Sequence, residues 1–396
     1  MINVILLRTF RIVDMISNQQ IYKVLSDKKV LISLILIGLI TKLFLLPIKT
    51  GDYIVFLEPW IEFIKTHGYF SSLKYNFYDY TPTYIYILIL IAKTGSNPLF
   101  LIKIISILFE YAVAFFIGKI AILKTQNKTS LLASLAIVPV LPSVILNSSY
   151  LSQCDSIYAT FVVASLYFIL KDRQFLSTLL LGIAFAFKMQ TAIILPVFFV
   201  LMLRKKINWY YFLLIPIIFI ISILPTWLYG RNFSDLLEVY MLQTNRYPFL
   251  TLNFPNIYIW IDNAFYEPVK LVGIVFTTIL TIVGGLAISN KKYNFSFEQW
   301  IRLAFLSSII IPFFLPGMHE RYMYLGDILG ILYFLVLKRN SHLPLAIASV
   351  SFYSYIRCSR FNDILPMYPA FIIYFLVIIL VVSEFIIILK NESSKN

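Results

Sequence analysis

Long apolar runs, separated by short polar segments, follow one another along most of this chain. Examples are 210–227, 269–288 and 367–389. Each run is close to the ~20 residues that an α-helix needs to cross a ~30 Å hydrocarbon core. Strands of a membrane barrel would be about 10 residues long with alternating polarity, and these runs do not alternate. The pattern therefore predicts an all-α fold built from transmembrane helices.

We predict about 12 transmembrane helices in a polytopic integral membrane protein that forms one domain over residues 1–396. The predicted spans are 30–47, 98–120, 128–147, 155–170, 175–190, 191–203, 209–228, 267–288, 299–315, 322–337, 342–356 and 367–389. The short sixth span suggests a tilted or broken pair with the fifth. The apolar stretch 83–92 is too short to span comfortably, so we predict a re-entrant or interfacial helix there, within the first outer loop.

Composition and charge support a membrane location. The chain is 60% hydrophobic and 13% charged, with a mean hydropathy of +0.84, whereas a soluble domain has about 25% charged residues. The net charge of +14 is explained by basic residues at cytoplasmic helix ends, and we expect no nucleic-acid partner. Both termini are then cytoplasmic, segment 1–29 is an amphipathic cytoplasmic segment, and the long loops 48–97 and 229–266 face outward. The predicted location is the cell membrane.

The first outer loop carries candidate chemistry beside an amphipathic pattern. Asp52 and Tyr53 begin a stretch whose apolar residues recur at helical spacing, which predicts a surface helix with Asp52 at or near its N-cap. Asp52 is therefore either a helix cap or a reactive carboxylate. Asp79, Tyr80 and Tyr84 follow. The tyrosines form either an aromatic belt or a surface that binds sugar rings or a phosphate.

Polar residues also stand in three further segments near the predicted outer face. These are Gln153 and Asp155, Lys188 and Gln190, and the consecutive His319, Glu320, Arg321 and Tyr322. A carboxylate such as Asp52 or Asp155 can accept the proton of an attacking hydroxyl. Lys188 and Arg321, with His319 as a further candidate cation, can stabilise the charge on a departing phosphate. The combination suits transfer of a group from a phosphate.

Three short strings give the chain a family resemblance. They are Asp-Tyr-Thr-Pro-Thr-Tyr at 79–84, Gln-Cys-Asp-Ser at 153–156 and Met-His-Glu-Arg-Tyr at 318–322. With an Asp in the first outer loop, they resemble the GT-C superfamily of polytopic glycosyltransferases, most closely the bacterial branch related to GPI-anchor mannosyltransferases.

The resemblance implies a fold of the GT-C type and a glycosyltransferase activity. A sugar, a hexose such as mannose, would pass from a polyprenyl-phosphate donor to a hydroxyl of a lipid or glycan acceptor on the extracytoplasmic face, with inversion. It implies that Asp52 is the catalytic base and that Asp155 helps to shape the same site. The expected substrate-binding residues are Tyr53, Asp79, Tyr80, Tyr84, Gln153, Lys188, Gln190, His319, Glu320, Arg321 and Tyr322.

We expect no cofactor and no obligatory metal, because the chain shows no clear ligand set and Cys154 and Cys358 belong to no cluster. Two other functions stay open. A lipid-linked glycan polymerase or flippase would share the recognition of a lipid phosphate. A secondary transporter would carry charges and helix breaks near the bilayer midplane, whereas the ionisable residues here are expected to gather at one surface. Glu110, inside a span, is expected to form an interhelical hydrogen bond.

Overall fold

A computed structural model describes residues 20, 23–25, 27–360 and 365–393, so most of segment 1–29 lies outside the described residues. The helices are α1 Lys28–Leu45, α2 Glu58–Thr66, α3 Pro82–Lys93, α4 Pro98–Thr125, α5 Thr129–Ile137, α6 Pro142–Ile145, α7 Asp155–Ile169, α8 Gln174–Phe187, α9 Leu195–Leu203, α10 Leu214–Leu228, α11 Phe233–Leu237, α12 Val239–Asn245, α13 Tyr266–Ile288, α14 Phe297–Phe314, α15 Tyr324–Leu337, α16 His342–Arg360 and α17 Tyr368–Ser393. The strands are β1 Thr251–Leu252 and β2 Met318–His319, and they pair in parallel. The predicted all-α fold is confirmed, and helices lie at all of the predicted span positions.

Several of these helices are suited to crossing a membrane. In the described part of the chain five are long and apolar enough, namely α4, Trp209–Leu228, Asn263–Ile288, α14 and Tyr368–Asn391. A sixth span is added if the pair Thr129–Val140 and Pro142–Tyr150, bent by 59°, is taken as one. The protein is therefore a helical membrane protein. A helix is present at the predicted position as α3, while its re-entrant or interfacial placement and the count of about 12 spans stay predictions.

Two of the predicted spans are broken for local reasons. Pro139 and Pro142 have no amide hydrogen, so the ladder of helical hydrogen bonds cannot run through them, and the bend lies between them. Further along, α8 ends at Phe187 and Lys188 is extended, with φ −151° and ψ 138°. A 3₁₀ turn over Met189–Ile194 then leads into α9. The helices are thus separated at Lys188, and the tilted or broken pair of the fifth and sixth spans stays a prediction.

Charged side chains are also buried between helices. Lys42 Nζ of α1 lies 2.5 Å from Glu110 Oε2 of α4, and both residues are buried. Arg302 Nε of α14 lies 3.2 Å from Glu384 Oε1 of α17. The interhelical bond expected for Glu110 is confirmed. The expectation that ionisable residues gather at one surface is wrong for these two pairs, which lie between helices. Each charged side chain there has its counter-charge on a neighbouring helix.

The charge pattern assigns some loops to the inner side and others to the outer side, and these contacts join loops assigned to the same side. Among loops assigned to the inner side, Lys124 Nζ lies 2.6 Å from Glu298 Oε1. Among loops assigned to the outer side, Gln153 Nε2 donates to Asp52 Oδ2 at 2.6 Å, and Gln243 Nε2 donates to the carbonyl oxygen of Asp79 at 2.6 Å. The predicted outer loops thus converge at one end of the helices.

Candidate active site

A cavity of about 240 Å³ lies where the predicted outer loops converge. Ten of the residues singled out from the sequence line it: Asp52, Asp79, Tyr80, Gln153, Lys188, Gln190, His319, Glu320, Arg321 and Tyr322. These residues come from four separate stretches of the chain, so the fold brings together the polar strings that the sequence keeps far apart.

Asp52 stands at the start of a widened helical turn. The π-helical segment Tyr53–Leu57 follows it and runs directly into α2, in which Pro59 occupies the first turn. Pro59 has no amide hydrogen and would clash with a carbonyl four residues earlier in a regular helix, and the wider turn relaxes this conflict. The Asp52 side chain makes no cap hydrogen bond. Asp52 thus occupies the predicted N-cap position, but the interpretation that its side chain caps the helix is wrong.

Gln153 fixes the Asp52 carboxylate in place. Its Nε2 donates to Asp52 Oδ2 at 2.6 Å, while its Oε1 accepts from the Tyr80 hydroxyl at 2.8 Å. Because the tyrosine contact occupies the amide oxygen, the NH₂ group must point to the carboxylate. Gln153 thereby links the first outer loop to the second.

The cavity wall carries three carboxylates, Asp52, Asp79 and Glu320, and three cations, Lys188, Arg246 and Arg321. Asp79 Oδ2 lies 3.4 Å from Arg246, and Glu320 Oε1 lies 3.3 Å from Arg321. Lys188 pairs with Asp155, behind the wall. Of these three carboxylates, Asp52 is the one that forms no ion pair within the described part of the chain. This makes it the most available proton acceptor of the three.

Asp155 does not line the cavity. It is buried at the start of α7, where Oδ1 lies 2.5 Å from Lys188 Nζ and Oδ2 accepts from Asn147 Nδ2 at 2.6 Å. The Lys188 ammonium also lies 5.0 Å from the centroid of the Tyr80 ring, close enough for a cation–π contact. Asp155 therefore holds the position of Lys188, which lines the cavity.

The His-Glu-Arg string is held by the two short strands. Thr251 is the register partner of Met318, and Leu252 that of His319. Gly317, with φ +72°, donates its amide to the carbonyl oxygen of Leu250 at 2.8 Å, in a left-handed conformation that favours glycine. The following 3₁₀ turn over Glu320–Met323 places the string between the long outer loop and α15.

Arg321 has an unused donor. Its Nη1 lies 3.3 Å from Glu320, but its buried Nε has no hydrogen-bond partner among the described residues. A buried donor without a partner costs about 1–3 kcal/mol, and a guanidinium suits the oxygens of a phosphate. Burial raises the pKa of Glu320, and the neighbouring Arg321 opposes that rise.

His319 is not a cation at neutral pH. Burial, together with the positive charges of Arg321 and Lys188, lowers the pKa of His319 to about 3. The neutral ring lies edge-on to Tyr247, with 5.5 Å between ring centroids. The expectation that His319 adds positive charge for a phosphate is wrong, because burial and the two nearby cations disfavour its protonation.

Two further expected binding residues lie outside the cavity wall. Tyr53 and Tyr84 are both buried in the hydrophobic cluster beneath it. The ring of Tyr84 lies 5.3 Å from that of Tyr80, and Lys49 Nζ lies 5.7 Å from the centroid of the Tyr53 ring. Tyr84 therefore packs against the wall residue Tyr80, and Tyr53 lies in the same hydrophobic cluster.

The sequence reasoning missed the contribution of the second long outer loop. Gln243, Arg246, Tyr247 and Asn253 line the cavity, and Gln243 and Arg246 both contact Asp79. The only signal for the first three was a polar string, Gln243 to Tyr247, in a loop between apolar spans. Such a string is common on any exposed loop and does not indicate a site.

No family model matches the chain, and no curated protein matches it. The resemblance to the GT-C superfamily therefore stays a prediction from the three quoted strings and the Asp of the first outer loop. In the described part of the chain, no three His, Cys, Asp or Glu residues lie close enough together to hold a metal ion.

Proposed function

We propose that this chain is a membrane glycosyltransferase of the GT-C type that moves a sugar, a hexose such as mannose, from a polyprenyl-phosphate donor to an acceptor hydroxyl. The observation that carries the proposal is the single cavity that holds an unpaired carboxylate, Asp52, together with the cations Lys188 and Arg321. Its position at one end of an apolar helical body suits a substrate with a lipid tail and a polar head.

The chemistry is one displacement at the anomeric carbon. Asp52 takes the proton of the acceptor hydroxyl as the hydroxyl oxygen forms its bond to that carbon. The bond between the carbon and the phosphate oxygen breaks, and its electron pair leaves with the polyprenyl phosphate. Attack opposite the leaving group inverts the configuration. The transition state has oxocarbenium character, as in glycoside hydrolysis.

Arg321 and Lys188 supply the electrostatic part of the catalysis. The donor is a phosphodiester with one negative charge, and the released monophosphate carries about −1.5 to −2 at neutral pH. Charge therefore grows on the phosphate during transfer, and fixed cations stabilise the transition state more than the bound donor. Arg321 lines the cavity, so its guanidinium lies where the phosphate of the donor would bind.

The test is to incubate the purified protein in lipid nanodiscs with a panel of polyprenyl-phosphate sugars and candidate acceptors. Release of polyprenyl phosphate together with a glycosylated acceptor supports the proposal. Extension of a lipid-linked glycan with release of a lipid diphosphate would instead identify a polymerase. Movement of intact donor across a membrane without cleavage would identify a flippase, and both results would refute the proposal.

The proposed orientation has the cavity on the extracytoplasmic face and both termini in the cytoplasm, with about 12 spans. It is tested with single cysteines at Lys124 and Lys74, in a background without Cys154 and Cys358, using an impermeant thiol reagent. Labelling of position 74 only from outside and of position 124 only from inside is expected. Labelling of position 124 from outside would contradict the assignment of α3 as a helix that does not span.

A further inference from the structure

Asn147 is a fully buried polar residue that the sequence reasoning did not single out. It lies in a widened, π-helical turn over Leu146–Tyr150. In an α-helix the carbonyl oxygen of Asn147 would accept from the amide of Leu151, but here that amide donates to the carbonyl oxygen of Leu146 at 2.9 Å. The extra residue in the turn thus frees the main-chain oxygen of Asn147 for another donor. Turns of this kind are frequent at functional sites.

The main chain of Asn147 holds the residue that fixes the proposed base. The amide of Gln153 donates to the carbonyl oxygen of Asn147 at 2.9 Å. The side chain of Gln153 in turn donates to Asp52 Oδ2 at 2.6 Å. Ser152, directly before Gln153, has φ +60°, and this left-handed residue ends the helical turn. The freed oxygen of Asn147 is therefore tied to Asp52 through one intervening residue.

The side chain of Asn147 supports the ion pair of Lys188 from behind. Its Nδ2 donates to Asp155 Oδ2 at 2.6 Å and to the Tyr355 hydroxyl at 3.0 Å, while Asp155 Oδ1 lies 2.5 Å from Lys188 Nζ. An ionised carboxylate only accepts hydrogen bonds, so the NH₂ group of Asn147 must face it. A buried ion pair is stable only when further hydrogen bonds satisfy its remaining oxygens. Asn147 provides such a bond to the second oxygen of Asp155.

The turn that carries Asn147 is anchored in the helical body. The hydroxyl of the next residue, Ser148, donates to the carboxylate of Glu110 in α4. Glu110 in turn forms its buried ion pair with Lys42 of α1. The turn is therefore held from two other helices, so that Asn147 has a fixed position against them.

Both ends of Asn147 lead to the cavity through short hydrogen bonds. One route runs through Gln153 to Asp52, and the other runs through Asp155 to Lys188. We propose that Asn147 is a positioning residue that fixes Lys188 relative to Asp52. The roles of Asp52 as the base and of Lys188 as a cation for the phosphate rest on the proposed function, whereas the hydrogen bonds between them do not.

The experiment compares two variants of the purified full chain that each remove one hydrogen bond of the same NH₂ group. Asn147→Ala keeps the main-chain bond to Gln153 but loses the donor to Asp155. Tyr355→Phe removes the other acceptor and leaves the bond to Asp155 in place, so it is the matched control.

The first readout is the rate at which an acylating reagent modifies Lys188, measured by mass spectrometry and normalised to the exposed Lys74. A lysine held in its ion pair reacts slowly. Asn147→Ala should raise the rate about tenfold, the effect of losing roughly one hydrogen bond to a charged group. Tyr355→Phe should leave the rate at the wild-type value. This readout needs no transferase activity.

The second readout is sugar transfer under single-turnover conditions. Asn147→Ala should lower the rate about 10²-fold, since a misplacement of about 1 Å in an active site has an effect of that size. Tyr355→Phe should transfer at close to the wild-type rate. In a background in which Asp155→Asn and Lys188→Met remove the ion pair together, Asn147→Ala should lower the rate less than about threefold further, because its effect passes through that pair.

The outcomes separate this proposal from the proposed function. Equal modification of Lys188 in the two single variants would overturn the role of Asn147, and so would an undiminished rate loss in the background without the ion pair. A wild type that transfers no sugar would refute the proposed function, and the modification of Lys188 would still decide on Asn147. If Asn147→Ala does not fold, Asn147→Thr replaces it, because threonine keeps the volume but not the reach of the amide.

Discussion

Replacing Asp52 by asparagine separates its proposed role as a base from any role in folding. Asp52 is only partly buried, makes no cap hydrogen bond, and accepts one hydrogen bond from Gln153 at 2.6 Å. The amide oxygen of asparagine can accept that bond in turn. The variant exchanges a charge-assisted hydrogen bond for a neutral one, a loss of about 1 kcal/mol of stability.

The expected effect on catalysis is larger. An amide cannot take the proton of the acceptor hydroxyl, and loss of a general base typically lowers the rate about 10²–10⁴-fold. That corresponds to roughly 3–5 kcal/mol of activation free energy. Asp52→Asn should therefore unfold close to the wild-type temperature, still bind donor lipid, and transfer very little sugar.

The assay follows release of polyprenyl phosphate from a labelled donor under single-turnover conditions, with donor binding and Tm measured on the same preparation. Asp79→Asn is the matched control. Asp79 also lines the cavity, but its carboxylate lies 3.4 Å from the half-exposed Arg246 and is already paired. We expect a loss of less than about tenfold for this control, since partly exposed ion pairs contribute little. Wild-type transfer by Asp52→Asn, or an equal loss in both variants, would refute the assignment of Asp52 as the base.

Other residues of the site lead to further expectations. Arg321→Ala should lower kcat about 10²–10³-fold, whereas Arg246→Ala should lower it much less, and equal kinetic losses would make Arg321 an ordinary loop charge. Asp155→Asn should destabilise the protein by about 3–5 kcal/mol by leaving Lys188 unpaired. Adding Lys188→Met should restore most of the lost denaturation midpoint. A wild-type midpoint for Asp155→Asn alone would contradict a stabilising Asp155–Lys188 ion pair. Burial lowers the pKa of His319 from 6.5 to about 3. As the pH drops from about 6.5 to about 3, His319 becomes protonated in the unfolded chain before it does in the folded protein, so the free energy of unfolding should fall. His319→Gln should remove that part of the acid sensitivity, and parallel Tm profiles of variant and wild type would contradict it.

The helix positions were predictable because the signal is local. An apolar run of about 20 residues can satisfy its backbone in a membrane only as a helix. The broken pair at Lys188 was also predictable from the shortness of the sixth run. The number of helices that cross the membrane is harder to read, since α3, α7 and α8 are apolar but short.

Most of the polar residues of the cavity wall were visible in the sequence, because polar side chains between apolar spans stand out. Ten of the predicted residues do line the cavity. What each one does there could not be read along the chain. Asp52 and Asp155 look equivalent as outer carboxylates, yet one lines the cavity without an ion pair and the other lies behind the wall against Lys188.

The sequence by itself determined the class of the protein, the order of its helices and the polar strings that supply the site. Only the tertiary structure decided that Arg246 joins these strings, that His319 is neutral, and that Asp155 lies behind the wall against Lys188. Hydrophobicity and helix formation depend on neighbours along the chain. The charge state and accessibility of a side chain depend on the groups that other helices bring within a few ångströms of it, since both desolvation and Coulomb energy are set by three-dimensional distance.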